Sequence, residues 1–434
     1  MLDVLYDPTW TTHFFWLLVV AFIFAFSVSF GMGANDSCND WGPAVGAGTV
    51  KLWQAYILCG IFNTIGAILL GYKVTETLRS GIVEMNVFDV YSIYNRTTYK
   101  YETVPHCDGA IPTGGFAPPS IINGTVEVEC AKYTAAEFMI GQTGAMAGVA
   151  AFMIVSSFYK IPVSATHAIV GASLASSLYL RGNIGIKWLE IGGIDLGFDR
   201  FTWWQAGAIS LIGGLAAMFL LAFPLKSWLK NRAKRLFDEE QQKNQQNLYY
   251  KILFFLSTSK DEKFYMVFNA LQIVSSSLLS FSHGANDTAN TVGPLLAVWM
   301  TYQTGYAFGA AETRDDSQML LAFGAVAMIV GFLSLGHRTI KLIAQEITVD
   351  MSPISGFAIE LGTAFTVLVC VKIGIPISST HCAVGAVLFV GMTKSTTEGV
   401  SFRTFRKICI VWLLCFPVAA AISVLVTIIL VQFV

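Results

Sequence analysis

Ten long apolar runs dominate the pattern of hydrophobic and polar positions along the chain. A run of roughly 17 to 25 apolar residues is long enough to cross a bilayer as a helix. The first run is preceded by Asp3, Asp7 and His13 where a signal peptide carries basic residues, and a polar motif follows it directly. The pattern therefore predicts an all-α polytopic membrane protein that keeps its first span. The ten runs lie at 14–35, 53–72, 137–158, 161–180, 203–224, 265–285, 318–335, 355–373, 375–392 and 407–433.

Composition narrows the class of protein. Of the 434 residues, 54% are hydrophobic and 13% are charged, and the mean hydropathy is +0.60. A soluble domain carries about a quarter charged residues, so a soluble globular protein is excluded. Lys and Arg total 27 against 28 Asp and Glu, without the basic excess of a nucleic-acid binder. Among the eight cysteines, Cys107 and Cys130 stand together in a polar stretch and form a candidate disulfide.

Two polar loops predict the sidedness of the spans. Residues 226–263 hold nine Lys and Arg against five acidic residues, which indicates a cytoplasmic linker. The loop at 73–136 carries seven acidic residues against five basic ones and two glycosylation sequons, at Asn95 and Asn123. Sequons are used in extracytoplasmic loops, so this loop is expected outside. Counting spans outward from both loops predicts that both termini are also outside.

Two sequence blocks occur twice in the chain. The segment GANDSCNDWGP at 33–43 recurs as GANDTANTVGP at 284–294, with seven of eleven positions identical. The segment IPVSATHAIVGA at 161–172 recurs as IPISSTHCAVGA at 375–386. Both copies keep the same order, so the chain is an internal duplication.

The duplication predicts an inverted-topology repeat. Each half contains five predicted spans, and because five is odd the two halves face opposite ways across the membrane. Secondary transporters of this design bind substrate near the bilayer midplane, between the repeats, and alternate access by rocking one repeat against the other. The expected units are a first repeat at 1–225, the linker 226–263 and a second repeat at 264–434, with broken or re-entrant helices at the motifs.

Asp36 and Asp287 are the chemically costly residues of the first block. A carboxylate at membrane depth is unfavourable unless it is paired or faces a polar cavity. Gly and Pro favour a broken helix, whose unpaired backbone groups are tolerated where they line a cavity. Carboxylate and amide oxygens are hard ligands that suit Na+ or a proton. The alternative interpretation is a polar loop at the membrane surface.

The second block indicates an anion site. Proline followed by Ser and Thr is typical of a helix start, whose first backbone N–H groups are unpaired and attract anions. Ordinary capping of a transmembrane helix is the alternative. His167 and His381 either fix the turn or take part in coupling. Because carboxylates beside an anion would repel it, cations must bind between them, so this arrangement predicts cotransport.

These motifs resemble the inorganic phosphate transporter family called PiT. Its animal and fungal members are sodium-dependent phosphate symporters, and its plant and many bacterial members are considered proton-coupled. The blocks above and the segment 352–361 carry the resemblance, which covers nearly the whole chain. The resemblance implies phosphate ligands at Ser164, Thr166, Ser378, Ser379 and Thr380. It implies cation ligands for Na+ at Asn35, Asp36, Asn39, Asn286, Asp287 and Asn290.

The chain departs from the family pattern at several positions. Asp40 and Trp41 follow the first motif where the family has small residues. Asn63 stands where the family usually has an acidic residue, so of these two positions only Glu360, in the second half, keeps an intramembrane carboxylate, and it is a possible coupling residue. The linker 226–263 is also short for a eukaryotic member.

The leading functional hypothesis is sodium-coupled symport of inorganic phosphate into the cytoplasm, across the plasma membrane, by alternating access. One alternative is a proton-coupled permease for phosphate or another oxyanion. Another is a non-transporting phosphate sensor or receptor with the same fold. An enzyme is not expected, because no Ser-His-Asp or His-x-x-x-His pattern occurs. We expect no cofactor besides the coupling ion and no nucleic-acid partner, and a homodimer remains open.

Overall fold

The structure is a computed structural model. The predicted span at 203–224, linker residues 226–262, Cys107, Cys130 and the Asn123 sequon lie outside the described residues. The structure describes residues 10–88, 92–95, 100–103, 120–122, 125–127, 135–183, 185–188, 191, 263–305, 307, 314–342, 352–392 and 402–433.

The described part of the chain is almost entirely helical, as predicted. Two short antiparallel hairpins lie in the polar loop, where β1 (Ser92–Asn95) pairs with β2 (Lys100–Thr103) and β3 (Ser120–Ile122) pairs with β4 (Thr125–Glu127). Asn95 of the first sequon therefore ends β1. The helices are α1 Trp10–Asn35, α2 Cys38–Gly46, α3 Leu52–Ser80, α4 Ala135–Phe158, α5 Ala165–Arg181, α6 Lys263–Thr304, α7 Arg314–Leu342, α8 Pro353–Ile373, α9 Ser379–Met392 and α10 Phe402–Val431.

Six stretches of the described residues are long and apolar enough to cross a membrane. They comprise α1 with α2, and α3, α4, α7, α8 and α10. The predicted spans at 161–180, 265–285 and 375–392 are not among these six. Helix α9 has 14 residues, too few for a full crossing, α5 has 17, at the lower limit, and 265–285 is part of the 42-residue α6. Helices α5 and α9 begin only after extended segments, at 161–164 and 375–378.

The helix breaks at the first Gly-Ala-Asn-Asp motif. Helix α1 ends at Asn35 and α2 begins at Cys38, with the Asn39 N–H bonded to the Asp36 carbonyl in a tight turn. The Ala34 carbonyl at the break accepts bonds from Thr339 Oγ1 at 3.2 Å and from Cys38 Sγ at 3.4 Å. Partners of this kind satisfy the carbonyls that a broken helix leaves over.

The second motif does not break its helix, so the predicted symmetry of the two breaks was wrong. Helix α6 continues for 42 residues through the motif and through Pro294. Both α2 and α6 run through their proline, and the break lies before Pro43, at residues 36 and 37. The sequence after each proline accounts for where the helices end, because Leu295 and Leu296 follow Pro294 whereas Gly46 and Gly48 follow Pro43 and end α2.

The hydrophobic core lies where α1, α4, α5 and α6 meet, and includes Leu17, Met139, Ala168 and Leu296. Large apolar side chains also cover the outside, such as Leu413 of α10, whose exposed fraction is 78%. An apolar exterior of this extent fits contact with lipid, in which such residues are at no disadvantage.

The two halves pack reciprocally. Helix α1 packs against α7, and α6 packs against α3. At these crossings the backbones touch, because an added Cβ at Gly33 would overlap the Met328 carbonyl and one at Gly284 would overlap the Asn63 carbonyl. In the same way, Gly331 abuts the Phe30 carbonyl and Gly66 abuts the Phe281 carbonyl. These four glycine contacts are therefore reciprocal between the two halves.

Equivalent residues of the two halves also touch each other. Asn63 precedes Gly66 by three residues and Met328 precedes Gly331 by three, and Asn63 Nδ2 lies 3.0 Å from Met328 Sδ. The His167 and His381 rings, from the two copies of the second block, lie 4.8 Å apart. Self-contacts of this kind occur where a two-fold axis relates two repeats. The structure thus fits the predicted duplication.

Candidate functional site

The motif asparagines hold the extended segments that precede α5 and α9. Asn35 donates from Nδ2 to the Ile161 carbonyl at 2.8 Å and accepts the Val163 N–H on Oδ1 at 3.1 Å. Asn286 makes both kinds of bond to a single residue. Its Nδ2 donates to the Ile377 carbonyl at 2.7 Å, and its Oδ1 accepts the Ile377 N–H at 3.4 Å. Each motif thereby fixes the helix start of its own half.

A second pair of asparagines reaches into the opposite half. Asn39 Nδ2 donates to Thr380 Oγ1 at 3.2 Å, and Asn290 Nδ2 donates to Thr166 Oγ1 at 3.2 Å. Both threonines lie in the first turn of a short helix, α9 or α5. The two motifs and the two helix starts, widely separated in sequence, therefore form one buried cluster between the halves.

The two motif aspartates are buried in this cluster. Thr380 Oγ1 donates to Asp36 Oδ1 at 3.1 Å, whereas Asp36 Oδ2 has no hydrogen-bond partner among the described residues. Asp287 has more donors, with Ser379 Oγ at 2.5 Å from Oδ2 and Asn286 Nδ2 at 2.5 Å from Oδ1. The hydroxyls of the predicted anion site therefore bond directly to the carboxylates of the predicted cation site.

A buried histidine that the sequence analysis did not select connects the halves. His283 Nε2 lies 2.6 Å from Asp287 Oδ2, and its Nδ1 lies 3.2 Å from Asp40 Oδ2. The same Asp40 oxygen accepts a bond from Ser280 at 3.1 Å, and Ser280 accepts one from Trp41 at 2.7 Å. His283 lies directly before the second motif and inside an apolar run, and an ionisable residue in such a position indicates a functional role.

The predicted phosphate serines are paired with the predicted histidines. Ser164 is the N-cap of α5, and its Oγ lies 2.7 Å from His167 Nδ1. Ser378 occupies the same position before α9, 2.5 Å from His381 Nδ1. The five predicted phosphate residues therefore all lie at two helix N-termini, where unpaired N–H groups favour an anion.

Glu360 belongs to a different polar cluster. Its carboxylate in α8 accepts bonds from Gln272 Nε2 at 3.1 Å and from Ser275 Oγ at 2.7 Å, both on α6. Gln272 in turn accepts a bond from Thr49 at 2.5 Å. Glu360 is fully buried, but none of these partners belongs to either motif. The structure therefore does not bring Glu360 into direct contact with the predicted ligands.

The unpaired atoms fit a cation. Asp36 Oδ2 and Asn290 Oδ1 are buried oxygens without a hydrogen-bond partner among the described residues, and a hard cation satisfies such oxygens. Within the described ranges, no group of three His, Cys, Asp or Glu residues has the geometry of a metal site. Paired helix starts next to buried carboxylates, between two duplicated halves, fit a polytopic membrane transporter.

Comparisons with known proteins identify the family. The model of the phosphate transporter family matches residues 32–104 and 103–423. The chain therefore belongs to the phosphate transporter family and is a membrane transporter, not an enzyme. The predicted resemblance is confirmed.

Individual relatives agree with this assignment. Inorganic phosphate transporter 2-1, chloroplastic, of Arabidopsis thaliana is 26% identical, over 93% of this chain and 70% of the relative. Sodium-dependent phosphate transporter 1-A of Danio rerio is 23% identical, over 94% of each chain. A solved structure named the sodium-dependent phosphate transporter superposes with a TM-score of 0.67 at 26% identity, covering 96% of this chain and all of the other.

Proposed function

We propose that the chain is a sodium-coupled symporter that carries inorganic phosphate into the cytoplasm across the plasma membrane by alternating access. The observation that carries the proposal is the pair of reciprocal bonds Asn39 to Thr380 and Asn290 to Thr166, which join each motif to the helix start of the other half. Movement of one half against the other would rearrange both bonds at once. Such coupling is what alternating access between two repeats requires.

The proposed phosphate site lies between the N-termini of α5 and α9. Phosphate would receive backbone N–H groups and hydroxyls there, and both the helix dipoles and the hydroxyl donors favour an anion. The residues in this role are Ser164, Thr166, Ser378, Ser379 and Thr380.

The proposed Na+ ligands flank the phosphate site. Na+ at Asp36 and Asp287 would offset the repulsion between these carboxylates and the anion. Because Ser379 and Thr380 already bond to the carboxylates, cation binding would also free or orient their hydroxyls for phosphate. The full proposed set is Asn35, Asp36, Asn39, Asn286, Asp287 and Asn290, with Glu360, His167 and His381 as further coupling residues.

The proposed topology follows from the sequence. Repeats at 1–225 and 264–434 face opposite ways, the linker 226–263 is cytoplasmic, and the loop 73–136 and both termini are outside. The name of the Danio rerio relative, a sodium-dependent transporter, supports Na+ as the coupling ion.

Uptake of labelled phosphate into proteoliposomes tests the proposal, with Na+, K+ and pH varied separately. We expect uptake to require an inward Na+ gradient, and we expect that a pH gradient cannot substitute for the Na+ gradient. Uptake driven by pH alone would favour the proton-coupled permease. Binding of phosphate in detergent without any flux would favour a sensor. Arsenate should compete and sulfate should not, because arsenate and phosphate keep a proton that can be donated to a carboxylate or amide oxygen, whereas sulfate would oppose that oxygen with lone pairs only.

A further inference from the structure

The hydroxyls of Ser164 and Ser378 each have two contacts with the histidine three residues later. Ser164 Oγ accepts the His167 backbone N–H at 3.3 Å and lies 2.7 Å from His167 Nδ1. Ser378 Oγ accepts the His381 backbone N–H at 3.2 Å and lies 2.5 Å from His381 Nδ1. The same atoms make the same contacts in both halves.

The proton on Nδ1 decides what each hydroxyl can offer to an anion. A serine hydroxyl has one O–H donor and two acceptor lone pairs, and the backbone N–H occupies one lone pair. If Nδ1 is unprotonated, it accepts the hydrogen bond from the serine O–H. The serine oxygen then presents only a lone pair to the site, which repels phosphate. If Nδ1 carries the proton, it occupies the second lone pair, and the O–H remains free to donate.

The surroundings hold the two imidazoles in place. The His167 and His381 rings lie 4.8 Å apart, and His381 stacks on Trp412 with ring centroids 3.6 Å apart. Two charged imidazoles at that separation would repel each other, so neutral rings suit this pair. His167 is exposed while Ser164 is buried, so the imidazole lies outside the hydroxyl that it contacts.

We propose that His167 and His381 are positioning residues for the anion, which carry a proton on Nδ1 and thereby make Ser164 and Ser378 hydroxyl donors directed at phosphate. The inference rests on the proposed phosphate site and assigns the histidines a role in substrate recognition. They act through the serines and do not touch the substrate. The arrangement serves an anion and gives no advantage to a neutral solute.

The test compares His381→Asn with His381→Gln in proteoliposomes containing the full chain. The asparagine amide lies near the position of Nδ1 and can still donate to Ser378, whereas the glutamine amide lies near the position of Nε2 and cannot. Loss of this donor should raise the KM for phosphate about tenfold in the glutamine variant, with the asparagine variant within about threefold of wild type. The maximum rate should change less than KM, and the same pair of changes at His167 should follow the same order.

A double variant separates positioning from simple support of the fold. If His381 acts through Ser378, the double variant Ser378→Ala with His381→Gln should have the KM of Ser378→Ala alone. Additive effects of the two substitutions on KM would overturn the inference, and so would equal KM values for the asparagine and glutamine variants. Neither result would affect the proposed function as long as the wild-type protein takes up phosphate. Wild-type protein without Na+-dependent phosphate uptake would overturn both. Unfolding temperatures of all variants provide the control for folding.

Discussion

Asp36 and Asp287 occupy equivalent positions in the two motifs, yet their carboxylates have different surroundings. Asp287 is contacted by Ser379, Asn286 and His283. Asp36 has one hydrogen-bond donor, Thr380, and its second oxygen has none among the described residues. The comparison shows that the two copies of a duplicated motif can surround their carboxylates with different numbers of protein donors, so that a cation competes with fewer donors at Asp36 than at Asp287.

Single side-chain differences between the halves produce this contrast. The equivalent of Ser379 in the first half is Ala165, which has no hydroxyl to donate to Asp36. The equivalent of His283 is Met32, which cannot form an ion pair. The bond from Ser280 to Asp40 has its counterpart in the bond from Ser29 to Thr291 at 2.9 Å. The equivalent threonines differ, because Thr380 donates to Asp36 whereas Thr166 donates to the Ile377 carbonyl at 3.0 Å.

The largest expected effect comes from removing either charge. Asp36→Asn and Asp287→Asn should each reduce Na+-driven phosphate uptake at least about a hundredfold, because each removes a charge that balances a cation in a site of low dielectric. Initial uptake rates in proteoliposomes measure the loss. Asp316→Asn, at the half-buried end of α7, is the matched control and should transport normally. Wild-type rates and Na+ dependence in both motif variants would refute the cation assignment.

The glycine contacts should give the next largest effect. Gly33→Ala and Gly284→Ala each force a Cβ into a backbone carbonyl of the other half, and overpacking of this kind costs about 1–3 kcal/mol of unfolding free energy. Both variants should unfold at lower temperature in detergent. Gly362→Ala is the control, since an added Cβ there has no atom within 4 Å. Equal stability of all three variants would mean that the helices can separate at these crossings at no cost.

A smaller effect should follow from making the two aspartates more alike. Ala165→Ser supplies the hydroxyl that Asp36 lacks, and a donor to a carboxylate weakens its hold on a cation by about threefold to tenfold in affinity. The Na+ concentration for half-maximal uptake should therefore rise, and Ser379→Ala should lower it. A decrease with Ala165→Ser would indicate instead that the new hydroxyl oxygen ligates Na+.

The smallest effect on transport is expected from glycosylation. Protein made in eukaryotic cells should carry sugar at Asn95, Asn123 or both, and enzymatic removal should shift its gel mobility without changing uptake. An epitope tag within 226–263 should be detected only after permeabilisation. Detection of that tag on intact cells would reverse the proposed orientation of both halves.

Local signals predicted part of this structure and distant contacts account for the rest. The helix starts after Pro162 and Pro376 were predictable because Pro, Ser and Thr specify a helix start within a few residues, whereas the short length of α9 was not predicted. Helix α6 continues past Pro294 because Leu295 and Leu296 favour a helix, which offsets the one backbone hydrogen bond that the proline cannot donate. The contact between His283 and Asp40 could not be predicted, because the two residues lie more than 200 residues apart in the chain.

The reciprocal asparagine and threonine bonds also bear on how the duplication is maintained. The first motif is completed by Thr380 and the second by Thr166, so neither half on its own contains a finished site. If each half contained a complete site, one half could lose its site residues without loss of the other site. Here each copy supplies what the other lacks, as the different subunits of an obligate heterodimer do. A change on one side of either contact therefore needs a compatible residue in the opposite half, so the two halves are not independent of each other at these positions.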